Sequence, residues 1–140
     1  MSRIFWDTNL FVYLWENYGA LTKKTEYLRA RMLARGDELL TSTLTLGEVL
    51  VKPRREGKFD LCRKYEAILA ASALLLPLDL AAARVYAELR CDPALKAPDA
   101  IQLACAASAS VDLFVTNDRR LQGKQVPGIQ FIVALDQVPI

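Results

Sequence analysis

The chain has 140 residues, 53% of them hydrophobic and 24% charged, which is typical of a folded protein and predicts a single domain over residues 1–140. A formal net charge of +2 is too small to mark a nucleic-acid binder by itself, and no apolar run approaches the roughly 20 residues that cross a bilayer. The absence of histidine excludes the side chain that most often transfers protons near neutral pH.

Short apolar runs alternate with longer helical patterns along the chain. In chain order, the pattern predicts a strand at 3–6, a helix at 21–35, a strand at 38–41, a helix at 59–71, a strand at 74–78, a helix at 80–90, a helix from the turn containing Pro98 and Asp99 to residue 108, and strands at 112–116 and 130–133. Asp79 is suited to cap the helix that follows it, and Pro127-Gly128 predicts a turn before the last strand. This alternation predicts an α/β fold, a three-layer α/β/α sandwich with a central, mainly parallel sheet of about five strands.

Four carboxylates stand beside core-forming sequence, where a buried charge without a partner is expensive. Two of them, Asp7 and Asp118, come at the carboxyl ends of predicted strands. The other two lie near helix starts, Asp99 in a first turn and Glu48 early in the helix that follows the second strand. Because open α/β sheets bind their ligands outside the carboxyl ends of the strands, we expect the four acids to converge there.

Each acid also has a local explanation that the sequence leaves open. Asp7 is suited to cap a helix that begins near residue 9, and Glu48 stands four residues before Lys52, a spacing that forms ion pairs on helices. Asp99 would complement the positive end of its helix dipole, and Asp118 would close an Asx-turn after its strand.

The conjunction of the four acids favours a shared site. Two unit charges about 4 Å apart repel by roughly 4 kcal/mol at an effective dielectric near 20, so such a cluster needs protons or cations to neutralise it. Oxygen ligands without His or Cys suit a hard cation such as Mg²⁺ or Mn²⁺. Such a cation activates water and stabilises charge on phosphorus. The residues therefore indicate a metal-assisted phosphoryl hydrolase of unspecified substrate.

The sequences around the four acids are distinctive in themselves. They read FWDTNL at residues 5–10, TLTLGEV at 43–49, LKAPDAIQLA at 95–104 and TNDRRL at 116–121. In this order they resemble the four motifs of the PIN-domain nucleases and, more narrowly, of the VapC toxins of bacterial and archaeal toxin–antitoxin pairs. The third segment is the most specific match. The family often has His where this chain has Gln102, a difference that is not expected to touch the metal.

The resemblance implies a compact α/β/α fold and an endoribonuclease that depends on one or two Mg²⁺ or Mn²⁺ ions. It implies that the catalytic residues and metal ligands, direct or through water, are Asp7, Glu48, Asp99 and Asp118. It further implies supporting polar roles for Thr8, Asn9, Thr116 and Asn117. For Asn9 and Asn117 a second interpretation stays open, in which they only shape turns.

The resemblance also implies partners. VapC-like proteins are commonly homodimers that a VapB antitoxin holds inactive, so an RNA substrate, a VapB-like antitoxin and a second copy of the chain are the expected partners. The residues do not separate a toxin from a housekeeping RNA-processing nuclease, and they do not identify the RNA, the number of metals or the oligomeric state.

Basic residues near the acidic motifs have two interpretations. As RNA contacts they would bind phosphates and position the substrate without reading its sequence, and as solvated surface they would do neither. The residues concerned are Arg54, Arg55, Lys58, Arg119 and Arg120. For Trp6 and Trp15, apolar neighbours favour core packing over base stacking.

Three other classes remain as alternatives. A phosphatase with an Asp nucleophile would have Asp-x-Asp where this chain has Asp7-Thr8-Asn9. A phosphoacceptor receiver domain, also doubly wound and Mg²⁺-binding, would have adjacent acids after the first strand, and only one acid is present. A degenerate nuclease that acts as a binding module would not need the full acidic set.

Two sequence features predict the compartment. Asp7 interrupts the N-terminal apolar stretch and no basic leader precedes it, so no signal peptide is expected. The three cysteines, Cys62, Cys91 and Cys105, are odd in number and have no CxxC spacing. They predict reduced core thiols of a cytoplasmic protein.

Overall fold

The structure is a computed structural model that describes residues 1–140. It contains five strands, six α-helices and one 3₁₀ turn. In chain order these are β1 (Arg3–Trp6), α1 (Thr8–Trp15), α2 (Ala20–Arg35), β2 (Glu38–Ser42), α3 (Thr43–Arg55), α4 (Phe59–Ser72), β3 (Leu74–Leu76), α5 (Leu80–Leu89), α6 (Ala97–Ser108), β4 (Val111–Val115), β5 (Ile129–Val133) and the 3₁₀ turn Leu135–Gln137.

All five strands form one parallel sheet in the order β3-β2-β1-β4-β5. The chain starts at the centre of the sheet, builds one half outward through β2 and β3, and then crosses back to build the other half. In the register of the central strands, Phe5 lies between Leu40 and Phe114. The predicted α/β sandwich is confirmed, and its sheet is wholly parallel.

Both faces of the sheet are covered, because successive side chains of a strand point to opposite faces. Ile4 and Trp6 pack with α1, α2, α3 and α4 on one face. Phe5 packs with α5 and α6 on the other face and stacks on Phe114, with ring centroids 4.9 Å apart. Each such fully buried side chain contributes about 1.5–3 kcal/mol through removal from water. Trp6 is fully buried, which confirms its predicted place in the core.

Proline and glycine set two boundaries of the sheet. The strand predicted at 74–78 ends at Leu76, since Pro77 has no N–H to continue the ladder. Gly128 precedes β5 in the predicted turn with φ of 98°, and a Cβ there would lie 2.3 Å from the carbonyl oxygen of Ala107. Only glycine fits this position, so the turn locks α6 against the start of β5.

Of the remaining local predictions, the helix cap is confirmed and one of the three cysteine assignments is wrong. Asp79 caps α5 as expected, accepting a hydrogen bond from the Ala82 backbone N–H at 2.9 Å. All three cysteines are unpaired, and Cys62 and Cys105 are buried, but Cys91 is exposed just after α5, so its prediction as a core thiol is wrong. No helix combines the length and the hydropathy that a bilayer-spanning segment needs.

Candidate active site

A polar cleft of about 170 Å³ opens at the carboxyl edge of the sheet, where the strand order reverses between β1 and β4. It is lined by Asp7, Thr8, Asn9, Glu48, Pro98, Asp99, Gln102 and Asp118. The fold thus brings together all four acids, although up to 111 residues of chain separate them (Asp118 minus Asp7). Larger grooves of about 350 and about 550 Å³ lie elsewhere, and neither gathers carboxylates in this way.

Asp7 forms the floor of the cleft. Its backbone N–H continues the β1–β4 ladder by donating to the Val115 carbonyl at 3.0 Å, and its side chain is buried where the strand ends. One carboxylate oxygen accepts from the Thr8 N–H at 2.9 Å, and the other accepts from the Thr116 hydroxyl at 2.7 Å. Burial raises the pKa of Asp7 and the charges of Asp99 and Glu48 raise it further, against the opposing effect of those two hydrogen bonds.

Glu48 reaches the cleft from α3, whose start is capped by Ser42. The Thr8 hydroxyl donates to its Oε1 at 2.6 Å, which holds Glu48 next to the loop that carries Asp7. Lys52, four residues further on, instead pairs with Glu16 at 3.4 Å. The local explanation of Glu48 as a partner of Lys52 is therefore wrong.

Asp99 and Asp118 both line the cleft, and the Arg120 guanidinium contacts both of them. Asp99 lies in the first turn of α6, and its pKa is raised by partial burial and by the charge of Asp118. Asp118 closes an Asx-turn with the Arg120 N–H at 3.0 Å, and the Arg120 guanidinium binds both of its oxygens, at 2.6 and 3.1 Å. These hydrogen bonds from Arg120 lower the pKa of Asp118, and the same guanidinium lies 3.5 Å from Asp99.

Three of the four local explanations are thus correct, although the same three acids also line the shared cleft. Asp7 caps α1, Asp99 stands at a helix N-terminus and Asp118 closes a turn. The caps and the turn orient the carboxylates, so the local and shared interpretations do not exclude each other.

Buried polar side chains surround and underlie Asp7, and the motifs assign no role to three of them, Thr41, Ser42 and Thr45. Of the buried polar residues in the protein, only Thr25 and Asp37 lie elsewhere; those at the cleft are Asp7, Thr41, Ser42, Thr45, Gln102 and Thr116. The resemblance assigns Gln102 no part in holding the metal, and the structure adds that its Nε2 lies 3.5 Å from Asp7 and 3.1 Å from Thr8. The signal in the sequence is an amide in the otherwise apolar middle of α6.

The supporting residues divide between the cleft and its surroundings. Thr8 and Thr116 hydrogen-bond the acids directly. Asn9 lines the cleft, whereas Asn117 stands outside the lining and donates to the Tyr13 hydroxyl at 3.3 Å. Their proposed support of the site stays a prediction.

Among the basic residues, only Arg120 contacts the acids. Arg54, Arg55 and Lys58 lie at or beyond the far end of α3, about 9 Å or more along the helix axis from Glu48. Arg54 packs over the Phe59 ring at 5.2 Å. Neither these three residues nor Arg119 lines the cleft, and their binding of RNA stays a prediction.

The donor set has the chemistry of a hard-cation site. It offers carboxylate and hydroxyl oxygens without sulfur or imidazole, which suits Mg²⁺ or Mn²⁺. No cationic side chain hydrogen-bonds Asp7, and the one guanidinium that reaches Asp99, at 3.5 Å, is bound mainly to Asp118. As the side chains stand, no three of the acids are close enough to ligate one ion together. The residues therefore fit such a cation in type and location, and binding would require the acids to draw closer.

Comparison with known proteins gives a consistent result. A family model of the PIN domain matches residues 4–126. No curated protein sequence matches the chain. Among solved structures, the chain is similar to VapBC2 from Rickettsia felis bound to a DNA fragment from their promoter, with 17% identity over 94% of this chain and 98% of that chain and a TM-score of 0.72.

Two further solved structures are similar over nearly their whole length. DNA-bound VapBC from Salmonella typhimurium has 20% identity over 96% of this chain and 99% of that chain, with a TM-score of 0.67. VapBC-5 from Mycobacterium tuberculosis, a member of the VapBC family of toxin–antitoxin systems, has 22% identity over the same shares and a TM-score of 0.60. At these identities the likeness establishes the fold. Because the PIN-domain match spans most of the chain, including all four acidic segments, the chain belongs to the PIN-domain family.

Proposed function

We propose that the protein is a metal-dependent endoribonuclease that hydrolyses RNA phosphodiester bonds and acts as the toxin of a VapBC-type pair. The observation that carries this proposal is the convergence of Asp7, Glu48, Asp99 and Asp118 in one polar cleft. Membership of the PIN-domain family supports the hydrolase role. The similarity to VapBC structures supports the narrower assignment as a toxin.

The acids have distinct proposed tasks. Asp7 and Asp99 would hold one or two Mg²⁺ or Mn²⁺ ions, and Glu48 and Asp118 would complete the site directly or through water. A divalent cation bound there supplies the positive charge that activates water and stabilises the charge developing on the phosphoryl group. The protein contributes by holding the acids: Thr116 and the Thr8 N–H orient Asp7, and the Thr8 hydroxyl orients Glu48.

The proposal includes partners and location. The similar structures are VapBC complexes, which supports a VapB-like antitoxin as the partner of this chain. We also propose that the chain is a single domain over residues 1–140 and forms a homodimer. Its proposed location is the cytoplasm, where it would meet RNA and an antitoxin. A housekeeping RNA-processing nuclease with this fold would lack a paired antitoxin gene.

The first experiment is cleavage of structured RNA by the purified chain in Mn²⁺ or Mg²⁺. We expect cleavage to disappear with EDTA and in Asp99→Asn, and to persist in the matched surface variant Asp136→Asn, whose carboxylate pairs with Lys24 and does not line the cleft. Equal cleavage by Asp99→Asn would remove the site assignment.

The toxin assignment has its own test. Induced expression of the wild-type chain in bacteria should arrest growth, and Asp99→Asn expressed to the same level should not. An active nuclease whose expression leaves growth unaffected would contradict the toxin role and favour RNA processing.

A further inference from the structure

Gln102 is one of the buried polar side chains around Asp7. It lies in the middle of α6 with only 2% of its surface exposed. Its Oε1 accepts a hydrogen bond from the Ser42 hydroxyl, and its Nε2 donates to Thr45 at 2.8 Å and to Thr8 at 3.1 Å. The same Nε2 lies 3.5 Å from the Asp7 carboxylate. One buried carboxamide thus connects three chain segments that carry the site.

The orientation of this amide follows from its neighbours. The Ser42 oxygen already accepts from the Thr45 N–H at 3.3 Å, so its own proton is free to donate to the Gln102 oxygen. Rotating the amide by 180° would turn its carbonyl toward the Asp7 carboxylate, placing two acceptors face to face. The amide nitrogen therefore faces Asp7 and the two threonines.

The Glu48 carboxylate sets the direction of the Thr8 hydroxyl. A hydroxyl has one proton to donate, and the Glu48 carboxylate only accepts, so the 2.6 Å contact requires Thr8 to donate to Glu48. The Thr8 oxygen is then an acceptor for Gln102. Hydrogen bonds are therefore donated in one direction, from Ser42 to Gln102, from Gln102 to Thr8 and from Thr8 to Glu48, which is an acid of the cleft.

We propose that Gln102 is a positioning residue that holds Asp7 and Glu48 in register for a divalent cation. Its two N–H groups donate to Thr45 and Thr8, so it acts on Glu48 through Thr8, and it acts on Asp7 through the partial positive charge of the same nitrogen 3.5 Å away. This inference rests on the proposed function. Outer partners of metal ligands typically change metal affinity by about 10–100-fold when they are removed, and we expect the Gln102 amide to act in that range.

The test is Mn²⁺ binding by calorimetry on the full chain, comparing Gln102→Met, Thr8→Val and the double variant. Methionine keeps the length of the side chain and removes the amide. We expect each single variant to weaken Mn²⁺ binding by about 10–100-fold. Because the effect of Gln102 on Glu48 passes through Thr8, the loss in the double variant should fall short of the product of the two single losses.

A matched control separates positioning from stability. Thr25→Val removes a buried hydroxyl in α2 that donates to the Leu21 carbonyl at 2.7 Å, away from the cleft. It should alter the melting temperature without changing the affinity for Mn²⁺. A purely structural Gln102 would behave in the same way.

A second measurement uses the wild-type chain and does not depend on the folding of a variant. The side-chain amide signals of Gln102 in a ¹H–¹⁵N spectrum should shift when Mg²⁺ is added, because Asp7 and Thr8 move with the cation. Signals that stay in place while Mg²⁺ binds would overturn the proposal.

The outcomes distinguish this inference from the proposed function. Wild-type Mn²⁺ binding that is lost in Asp7→Asn but retained in Gln102→Met would overturn the positioning role alone. Multiplied losses in the double variant would overturn the route through Thr8. A wild-type chain that binds no Mn²⁺ would remove the proposed function, and this inference with it.

Discussion

Two aspartates at opposite edges of the same sheet are equally buried and differently neutralised. Asp7 at the carboxyl edge is 9% exposed, and Asp37 at the amino edge is 8% exposed. Asp37 pairs with the Arg35 guanidinium at 2.8 Å and accepts from the Ser2 N–H at 2.7 Å. Asp7 has only hydroxyl, amide and backbone donors around it and stands near two further acids.

The surroundings of the two aspartates repeat this contrast. At the amino edge, Arg3 pairs with Glu38 at 2.8 Å, and its backbone N–H donates to Asp112 at 2.7 Å. At the carboxyl edge, Arg120 is the one cation in contact, and it is committed mainly to Asp118. Burial alone therefore does not distinguish the two aspartates. Asp7, the buried acid that no cation contacts, is the one that lies in the cleft.

The largest expected effect is the loss of activity in Asp7→Asn. Removing a proposed metal ligand should lower RNA cleavage by more than the roughly 100-fold that loss of an outer partner can cost. The melting temperature in EDTA should not fall, because the change also removes repulsion from Asp99 and Glu48. Cleavage rates at saturating Mn²⁺ and thermal unfolding measure the two effects.

Asp37→Asn is the matched variant at the other edge. It leaves the Arg35 guanidinium facing a neutral amide, and we expect a loss of about 1–3 kcal/mol in the free energy of unfolding. Cleavage by the folded fraction should be unchanged. Urea unfolding measures the loss of stability. If the fully folded variant cleaved RNA more slowly than the wild type, the proposed difference between the roles of Asp37 and Asp7 would be wrong.

The pH dependence of stability should reveal the unneutralised acids. Burial raises the pKa of Asp7 and of Asp99 in the folded chain, so the folded state binds more protons than the unfolded chain between the two pKa values. Their contribution to the free energy of unfolding is therefore largest at low pH and falls as pH rises above about 4. The pKa of Asp118 is lowered, so its contribution has the opposite sign and is lost as pH falls.

The matched measurement is urea unfolding in EDTA from pH 3.5 to 7. The stability advantage of Asp7→Asn over the wild type should grow with pH across the window above about 4. A constant difference between the two proteins would mean that Asp7 has no raised pKa.

Arg120→Gln tests the same contrast between neutralised and unneutralised acids by removing a counter-charge instead of an acid. It removes the only cation that contacts the cleft acids, and the pKa of Asp118 should rise toward its ordinary value. Losing a like charge about 4 Å from a bound divalent cation should strengthen Mn²⁺ binding by a factor of about 30, since the repulsion between a single and a double charge at that distance is worth about 2 kcal/mol in water. Calorimetry measures this change, and weaker binding would show that Arg120 helps to form the site.

The smallest expected effect concerns the basic end of α3. If Arg54 and Arg55 each contact one phosphate, replacing both by Gln should reduce the slope of log affinity against log salt by about 1.4 for single-stranded RNA. Binding of a non-cleaved RNA by the Asp99→Asn background at several salt concentrations measures the slope. An unchanged slope would leave both residues as solvated surface.

Much of the fold could be predicted from local sequence. The apolar run of β1, the Gly36 stop after α2 and the Asp79 cap of α5 are short-range patterns, and the structure reproduces them to within one or two residues. The clearest miss in the sheet is the end of β3, where Pro77 stops the ladder. The partner of Lys52 was also beyond local reasoning, because Glu16 is distant in sequence and near in space.

The sequence by itself identified the acids that stand beside core-forming segments, since a carboxylate next to an apolar strand can be recognised without coordinates. It also determined the edge at which they meet, because parallel strands align their carboxyl ends. Only the tertiary structure decided which buried acids have a counter-charge, separating Asp7 from Asp37. It alone placed Gln102 against Asp7 and Thr8 in the cleft, because hydrogen bonds between side chains as far as 95 positions apart depend on how helices pack on the sheet.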